Sequence, residues 1–501
     1  MRWQSWFSSG LALGISVTAL FALQACNWLG AREALAPLGV NGASNRAGQI
    51  GSSQPRLEPL PQAANVRVYF NQNLQIDADY VEPYRQIERP GDNLEQIVVE
   101  AIGGAQSSLE VAVQELRLPA IARAIAERHR AGVRVRVIIE NTYSTPWSSL
   151  TAGDLRDADN RDRDAYEEAR ALIDVNGDGT LDVGEIASGD ALVVLGDAGV
   201  PTIDDSADGS AGSGLMHHKF IVIDGRTVVT GSANLTTSGI HGDFGEPSSR
   251  GNVNHLLAID SPDLARLFVE EFELMWGDGP GGSTDSRFGL GKPDRRAATV
   301  WAGDTKIVVH FSPTSKTLPF EDSSNGLIAH TLATATQSID LILFVFSEQV
   351  LVDVIRDRHE RGVAVNALID RSFAYRSYSE GLDMLGVVIA NHNCTIEENN
   401  APWATPIETV GIPNLPAGDK LHHKFALVDD RVVVTGSHNW SPTANRRNDE
   451  TVLVITDPIV AAHFARERDR LLAGAQFGIP ERVKRKQREQ RERCSALKVD
   501  R

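Results

Sequence analysis

Cysteine, surplus positive charge and long apolar runs are all scarce in this chain of 501 residues, and each shortage excludes something. Of the three cysteines, Cys26 lies near the N-terminus, and Cys394 and Cys494 are too few for a disulfide framework. Whether these two pair or stay free is open, and their spacing does not indicate a metal site. The formal net charge is −17, so the overall field does not attract nucleic acid or anionic lipid, and any anion site must be local.

The apolar stretch at residues 11–23 is shorter than the roughly 20 residues that a transmembrane helix needs. It predicts a signal segment over residues 1–25, and the letters Leu-Gln-Ala-Cys at residues 23–26 resemble a bacterial lipobox. That resemblance implies cleavage after Ala25 and a lipid on Cys26, although Gln24 is unusual at its position. An ordinary signal peptide and an uncleaved anchor are the alternatives. Each case predicts a mature protein outside the cytoplasm, either anchored to a membrane as a lipoprotein or secreted.

The body of the chain repeats itself, and the repeat defines the predicted domains. Strand and helix patterns recur in the same order in both halves, at residues 66–69, 94–102, 109–113, 121–130 and 134–140, and again at 307–311, 327–335, 339–346, 351–361 and 364–370. Gly132 and Gly362 lie where each second helix needs a left-handed residue to end. This alternation predicts an α/β fold built from two similar units. The predicted division is a tether at 26–64, a first domain at 65–290, a linker at 291–304, a second domain at 305–475 and a basic tail at 476–501.

The string His-x-Lys-x4-Asp-x6-Gly-Ser-x-Asn occurs twice with every spacing equal. Its members are His217, Lys219, Asp224, Ser232 and Asn234 in the first copy, and His422, Lys424, Asp429, Ser437 and Asn439 in the second. Lysine ammonium and asparagine amide groups can bind the oxygens of a phosphodiester. A neutral imidazole can attack phosphorus while a protonated one donates to the leaving oxygen, a scheme that requires no metal. Two intact copies inside an internal repeat therefore indicate phosphodiester chemistry.

These motifs resemble those of the phospholipase D superfamily, which includes phospholipases D, cardiolipin synthases and hydrolases, secreted endonucleases and tyrosyl-DNA phosphodiesterases. The resemblance implies two pseudo-symmetric α/β/α domains packed around one shared active site, so that no oligomer is required. It implies catalytic roles for His217, Lys219, Asp224, His422, Lys424 and Asp429. It also implies phosphate-binding or orienting roles for Ser232, Asn234, Asn254, Ser437, Asn439 and Glu450.

The two halves differ at the residue expected to orient the histidine. Aligning the repeats places Asn254 opposite Glu450. If each residue lies behind the histidine of its own half, the Glu450 carboxylate favours a protonated His422 as the acid, and the amide favours a neutral His217 as the nucleophile. The alternative is that Asp243 or Glu246 takes the place of the missing acid.

The first half carries extra residues at 142–214, and within them residues 174–185 match the twelve-residue calcium loop. The ligand positions are occupied by Asp174, Asn176, Asp178, Thr180, Asp182 and Glu185. Gly179 occupies the position of the sharp turn. The sequence therefore predicts a bound calcium ion with a structural role and no cofactor for catalysis.

Three functions fit this sequence, and we expect the first. It is a phospholipase D-type hydrolase acting on membrane phospholipid; the second is a nuclease cleaving DNA or RNA, and the third is a calcium-stabilised binding protein without activity. An apolar, aromatic rim of the cleft would favour lipid, whereas a long track of lysine and arginine would favour nucleic acid. The basic tail is interpreted as a solvated helix, with a patch for anionic lipid or nucleic acid as the alternative.

Overall fold

The computed structural model describes residues 55–151, 153–156, 160–210 and 214–499. The predicted signal segment, Cys26 and most of the predicted tether lie outside the described residues. Within those ranges no helix is long and apolar enough to cross a membrane.

The first half alternates strands with helices, as the repeat predicts. Its elements are β1 (Val66–Phe70), β2 (Asp79–Val81), β3 (Glu88–Pro90), α1 (Leu94–Gly103), β4 (Ser108–Val113), α2 (Pro119–Arg130), β5 (Arg134–Ile139), α3 (Asn160–Ile173), α4 (Val183–Gly189), α5 (Ala191–Asp197), β6 (Thr202–Asp204), β7 (Lys219–Ile223), β8 (Thr227–Gly231), α6 (Thr237–Ile240), β9 (His255–Asp260) and α7 (Pro262–Trp276).

The second half repeats this order and extends it at both ends. Its elements are β10 (Ala298–Ala302), β11 (Thr305–Ser312), α8 (Ser324–Ala333), β12 (Ser338–Leu343), α9 (Gln349–Glu360), β13 (Ala364–Ile369), α10 (Glu380–Met384), β14 (Val410–Ile412), β15 (Lys424–Val428), β16 (Val432–Gly436), α11 (Pro442–Arg446), β17 (Glu450–Thr456), α12 (Pro458–Leu472), β18 (Gln476–Phe477) and α13 (Glu481–Val499). Short 3-10 turns occur at Asn141–Tyr143, Trp147–Ser149, Ala207–Gly209, Gly289–Gly291 and Phe320–Asp322.

Each half forms one mixed sheet, and the two sheets share the same strand order. The first runs β1-β9-β8-β7-β4-β5-β6, and the second runs β10-β11-β17-β16-β15-β12-β13-β14-β18. Strands β4, β5 and β6 pair in parallel, as do β12, β13 and β14, and the other pairs are antiparallel. The predicted α/β class and internal repeat are therefore confirmed strand by strand.

Three apolar clusters form most of the core of this fold. One lies under α1 and α2 in the first half, and one under α8 and α9 in the second half. The third joins the two halves, because α7 and α12 bury Phe268 and Phe464 against Phe220 and Phe425 of the two motif strands. All four of these rings are fully buried, and a buried phenylalanine stabilises a fold by about 1.5–3 kcal/mol. The strands that carry the motifs thus rest on the core that both halves share.

Two segments predicted as connections are partly built into the body. Residues 55–64, the end of the predicted tether, are bound to α12, since Arg466 donates to the carbonyl oxygen of Glu58 and His463 lies 3.0 Å from that of Pro61. The predicted linker contains β10, which pairs with β11, and Lys292, whose ammonium lies 2.5 Å from carboxylates of both Glu271 and Asp449. Residues 55–64 have no apolar alternation, and in β10 the exposed Trp301 between Val300 and Ala302 obscures it, so sequence patterning alone does not separate either segment from a loop.

The C-terminal tail is helical but not simply solvated. Strand β18 pairs with β14, and Val483 of α13 packs with Leu382 and Ile389. Cys394 and Cys494, whose pairing the sequence leaves open, form a disulfide. The tail is therefore attached to the second half.

Candidate active site

The two motif copies form matching hairpins, β7–β8 and β15–β16. His217 and His422 each stand two residues before Lys219 and Lys424, which open the first strand of their hairpin. Both histidines and both lysines are buried, as expected for groups that work away from bulk water. The hairpins thus place the four predicted groups at the same end of their strands.

Asp224 and Asp429 lie at the other end of the hairpins, which corrects the expectation that they are catalytic. The five-residue strand β7 separates Asp224 from Lys219, roughly 16 Å at about 3.3 Å per residue. Its carboxylate instead accepts backbone N–H groups of Gln106, Ser107 and Ser108 at 2.9, 2.6 and 2.9 Å. Asp429 does the same for residues 336–338 at distances from 2.7 to 2.9 Å. The motif aspartates therefore hold the loop that enters β4 or β12.

The two halves are joined beside the histidines by short backbone bridges. The N–H of His217 donates to the carbonyl oxygen of Asp449 at 3.0 Å, and the N–H of His422 donates to that of Val253 at 3.1 Å. The bridged pairs are Met216 with Asp449 and Leu421 with Val253, so the segment before each motif strand lies beside the segment before β17 or β9 of the other half. Each histidine is therefore adjacent to the orienting residue of the opposite half.

This crossing reverses the pairing expected from the repeat. His217 Nδ1 lies 2.6 Å from Glu450 Oε2, and His422 Nδ1 lies 2.9 Å from Asn254 Oδ1. The carboxylate thus stands behind His217, and the amide stands behind His422. Asp243 and Glu246 do not take that place, because both side chains lie beside Gly418.

The hydrogen bonds fix which imidazole nitrogen is free to react. Asn254 donates through Nδ2 to the carbonyl oxygens of Gly239 and Asn252, at 2.7 and 3.2 Å, so its Oδ1 is the acceptor facing His422. The hydroxyls of Ser232 and Ser437 donate to Asn254 and Glu450 at 2.7 and 2.9 Å. Nδ1 of each ring is therefore the donor, and Nε2 is the nitrogen left for chemistry.

The two lysines have different neighbours at equivalent positions of the repeat. Lys219 Nζ donates to Gln114 Oε1 at 3.1 Å, whereas Lys424 Nζ lies 5.0 Å from the centre of the Phe344 ring. Phe344 also contacts His422 edge-on at 4.8 Å and Phe373 at 4.7 Å. Sequence reasoning missed both neighbours, although each directly follows the equivalent strand, β4 or β12. The wall of the site is polar on one side and aromatic on the other.

Burial and mutual repulsion set the protonation of this site. The pKa of both His217 and His422 lies well below its usual range because of burial and the two lysine charges. Burial lowers the pKa of Lys219 to about 7, although Glu450 and Glu115 act in the opposite direction. Burial and Lys219 hold the pKa of Lys424 well below its usual range. Since each lysine acts on both histidines, the two copies form one site, and the negative charge of an entering phosphate would oppose this lowering of the pKa values.

Four polar side-chain atoms of the motif region are buried without hydrogen-bond partners among the described residues. They are the amide oxygens of Asn234 and Asn439 and both ring nitrogens of His438. His438 stands where the first copy has Ala233, and burial lowers its pKa to about 4. The asparagines occupy the positions predicted to bind phosphate.

A second histidine in each motif connects the site to the central helices. His218 lies 3.0 Å from Glu271 of α7, and His423 lies 2.9 Å from Glu467 of α12. The pKa of each glutamate is lowered, Glu271 by Lys292 and Arg295, and Glu467 by Arg470, against the effect of burial. These pairs hold the start of each motif strand against its helix.

The predicted calcium loop lies between helices α3 and α4. Gly177 and Gly179 have positive φ angles of 71° and 81°, and the carboxylate of Asp174 accepts the N–H of Gly179 at 2.8 Å. The remaining predicted ligands, Asn176, Asp178, Thr180, Asp182 and Glu185, lie in the same loop and share such internal hydrogen bonds. No group of three or more His, Cys, Asp or Glu in the described ranges is arranged to hold a metal ion. The donor set suits calcium only if its oxygens turn from these amides, so calcium binding stays a prediction.

Comparison with known proteins agrees with this geometry. The family model for "Cardiolipin synthase, PLD-like domain" matches residues 98–276 and 328–472, which together make up more than half of the chain. The mitochondrial cardiolipin hydrolase of Xenopus tropicalis is 29% identical over 156 residues, 31% of this chain and 63% of the frog protein. The mouse protein of that name is 30% identical over 155 residues, 31% of this chain and 60% of its own length. A phospholipase D of Rickettsia bellii is 29% identical over 160 residues, 32% of this chain and 66% of the bacterial protein.

Two solved structures are also similar. Phosphatidylserine synthase of Haemophilus influenzae covers 88% of this chain and 95% of its own, at 15% identity and a TM-score of 0.49. Nuc of Salmonella typhimurium, a phospholipase D family member, covers 35% of this chain and 100% of its own, at 21% identity and a TM-score of 0.28. The chain spans less than two thirds of the length of the two cardiolipin hydrolases. From the family match over both halves, the chain belongs to the phospholipase D superfamily, with two phospholipase D-like domains in one polypeptide.

Proposed function

We propose that this protein is a phosphodiesterase that hydrolyses membrane phospholipid through a phosphohistidine. The observation that carries the proposal is the single buried site in which His217, Lys219, His422 and Lys424 act on one another. A site with two lysines suits a phosphodiester, because negative charge builds up on the phosphate oxygens in the transition state. The lysines and the asparagine amides can bind those oxygens.

The proposed reaction has two steps. Nε2 of His217 attacks phosphorus, the bond to the leaving oxygen breaks, and His422 donates its Nε2 proton to that oxygen. A water molecule then gives a proton to His422 and attacks phosphorus, which releases His217 and a phosphomonoester. Phosphorylated His217 carries positive charge with a proton on Nδ1, and the Glu450 carboxylate 2.6 Å away stabilises it. Asn254 orients His422 but carries no negative charge that would stabilise the protonated ring. His422 therefore gives up its proton more readily than it would beside a carboxylate.

The surroundings of the site support lipid over nucleic acid. Phe344 and Phe373 form a half-buried aromatic wall beside His422. Near Lys219 lies the carboxylate of Glu115, which acts on that lysine. Asp243 and Glu115 both act on Glu168, whose pKa burial raises to about 8, so that its proton is kept at neutral pH. An apolar wall suits the hydrocarbon of a lipid, whereas nearby carboxyl groups disfavour a long polyanion. The relatives named cardiolipin hydrolase and phospholipase D support the same choice.

Location outside the cytoplasm is part of the proposal. A disulfide between Cys394 and Cys494 is typical of an oxidising compartment, and the predicted signal segment and lipidated Cys26 would deliver the protein there. A lipid anchor would also keep the enzyme at its substrate.

The test is a side-by-side assay of phosphatidylcholine, cardiolipin and single-stranded DNA, with a His217→Asn variant as the inactive control. We expect phospholipid turnover that the variant lacks. In a second variant, Phe373→Ala, kcat/KM should fall roughly 10-fold or more on phospholipid because apolar contact is lost, but little on soluble bis(p-nitrophenyl) phosphate. Cleavage of DNA alone would establish the nuclease alternative, and no turnover of any diester would establish a binding protein.

A further inference from the structure

Helix α13 presents a cationic surface on an otherwise acidic protein. Residues 481–494 contain seven lysine and arginine residues and three glutamates, a net charge of +4, whereas the whole chain carries −17. All seven cationic side chains are exposed. Arg482, Lys486 and Arg488 form no salt bridge with any other residue that the structure describes.

The helix is held on the second half by its uncharged face. Val483, Gln487, Gln490 and Cys494 follow a helical spacing and lie against the body. Gln487 and Gln490 donate to the carbonyl oxygens of residues 388, 390 and 391, and the disulfide closes the far end. A merely solvated helix would not need this attachment, whereas a binding surface gains from being held in place before its ligand arrives.

Apolar side chains flank the cationic surface. Phe477, which precedes the helix, is 47% exposed, and Ile396, two residues beyond disulfide-bonded Cys394, is 56% exposed. An exposed aliphatic side chain beside cations suits the boundary between lipid headgroups and acyl chains better than it suits a phosphate–sugar backbone. A hydrogen bond connects the surface to the segment that carries the site wall, since Tyr375, two residues after Phe373, donates to the carbonyl oxygen of Gly478.

We propose that α13, with Phe477 and Ile396, is a docking surface for anionic phospholipid bilayers. This proposal goes beyond the proposed reaction, because it concerns how the protein binds a membrane surface and not which diester it cleaves. The attraction is local, so it operates despite the negative charge of the whole chain, and it is screened by salt.

The test uses the full chain with Cys26→Ser, which removes any acyl anchor, and vesicles of phosphatidylcholine alone or of equimolar phosphatidylcholine and phosphatidylglycerol. The test variant is Arg482→Gln/Lys486→Gln/Arg488→Gln. The matched control, Arg67→Gln/Lys306→Gln/Lys316→Gln, removes the same charge from exposed positions elsewhere. Sedimentation should show that the control binds the anionic vesicles like the parent, while the test variant partitions roughly 100-fold less, about fivefold per cation. Zwitterionic vesicles should not distinguish the three proteins.

Added salt should weaken binding of the parent to anionic vesicles, a measurement that needs no variant. Turnover of bis(p-nitrophenyl) phosphate and the melting temperature should be equal in all three proteins. Equal vesicle binding by test variant and control would overturn the proposal, and so would helix-dependent capture of single-stranded DNA in preference to vesicles. Vesicle binding that depends on α13 in a protein without phospholipid turnover would uphold this surface and reject the proposed function.

Discussion

Glu450 and Asn254 make the two histidines chemically unequal, although the repeat makes them equivalent. Both residues reach across the interface, and both are fully buried. The premise that the amide stands behind His217 is wrong. The assignment of His217 as nucleophile stays a prediction on a different ground, namely that Glu450 neutralises its phosphorylated form.

Replacing Glu450 by glutamine should lower kcat strongly, because the phosphohistidine cation then loses its counter-charge. We expect a loss on the order of 100-fold to 10,000-fold, as for loss of the carboxylate behind a catalytic histidine elsewhere. The matched change Asn254→Asp should alter kcat by less than about tenfold, since the histidine stays oriented. Initial rates with bis(p-nitrophenyl) phosphate measure both, and a larger loss for Asn254→Asp would assign the nucleophile to His422.

Lys219 should make anion binding sensitive to pH in the neutral range. Its pKa is lowered to about 7, so its positive charge is present below that pH and is lost above it. Sulfate keeps its charge throughout this range, and its affinity should fall by up to about tenfold per pH unit above pH 7. Calorimetric titration measures this, and Lys219→Arg should abolish the decline, since arginine stays charged. The same decline in both proteins would assign the titration to another group.

The sequence predicts that the motif histidines and lysines gather, but it wrongly adds Asp224 and Asp429 and does not show how the histidines pair. The placement of His217 and Lys219 at the start of a strand can be predicted from the sequence alone, because it depends only on local spacing. The pairing of His217 with Glu450 depends on the bridge from His217 to Asp449, which joins segments more than 200 residues apart. Nothing in the repeat distinguishes contact within a half from contact across the interface.

The extra segment of the first half, residues 142–214, contacts the active-site region through α3. Glu168 on α3 is hydrogen-bonded to the hydroxyl of Thr237, which lies in α6 three residues after Asn234. Arg170 of the same helix donates to the carbonyl oxygen of Gly179 at 3.0 Å in the predicted calcium loop. The loop therefore supports a helix that contacts the active-site region.

Chelation of calcium should lower the melting temperature more than it lowers turnover by protein that is still folded. The reason is that the ion would order the loop between α3 and α4 without touching the histidines. Thermal unfolding and initial rates, each with and without a chelator, measure the two effects. Asp174→Ala/Glu185→Ala should melt like the chelated protein and show no further change on chelation. A loss of turnover without a change in stability would place calcium in substrate binding.

The long elements were predictable because their apolar periodicity is clear, as in α2, predicted at 121–130 and found at Pro119–Arg130. The short edge strands were not. Strand β18 has two residues, and β10 lies in a segment read as a linker. Strand β18 is too short to show a pattern, and in β10 the apolar but exposed Trp301 breaks the alternation of apolar and polar residues.

In the molecule as a whole, two similar halves complete one site within a single chain. The central cluster joins α7 and α12, and the backbone bridges join His217 to Asp449 and His422 to Val253. We therefore expect that a second copy of the chain is not needed for the proposed reaction.

Mixing inactive His217→Asn and His422→Asn proteins should not restore activity, because each chain contributes both histidines to its own site. Turnover of bis(p-nitrophenyl) phosphate by the mixture should equal the average of the separate variants. Recovery of a quarter or more of parental activity would show that halves of different chains form the site.

The most direct test is to trap the phosphorylated enzyme, using a diester labelled at phosphorus and carrying a p-nitrophenolate leaving group that needs no acid. In His422→Asn, which lacks the base for the second step, we predict one label per chain, attached to His217 and removed at low pH. The His217→Asn protein should take up no label. Label on any residue other than His217, or two labels per chain, would contradict a single shared site with His217 as its nucleophile.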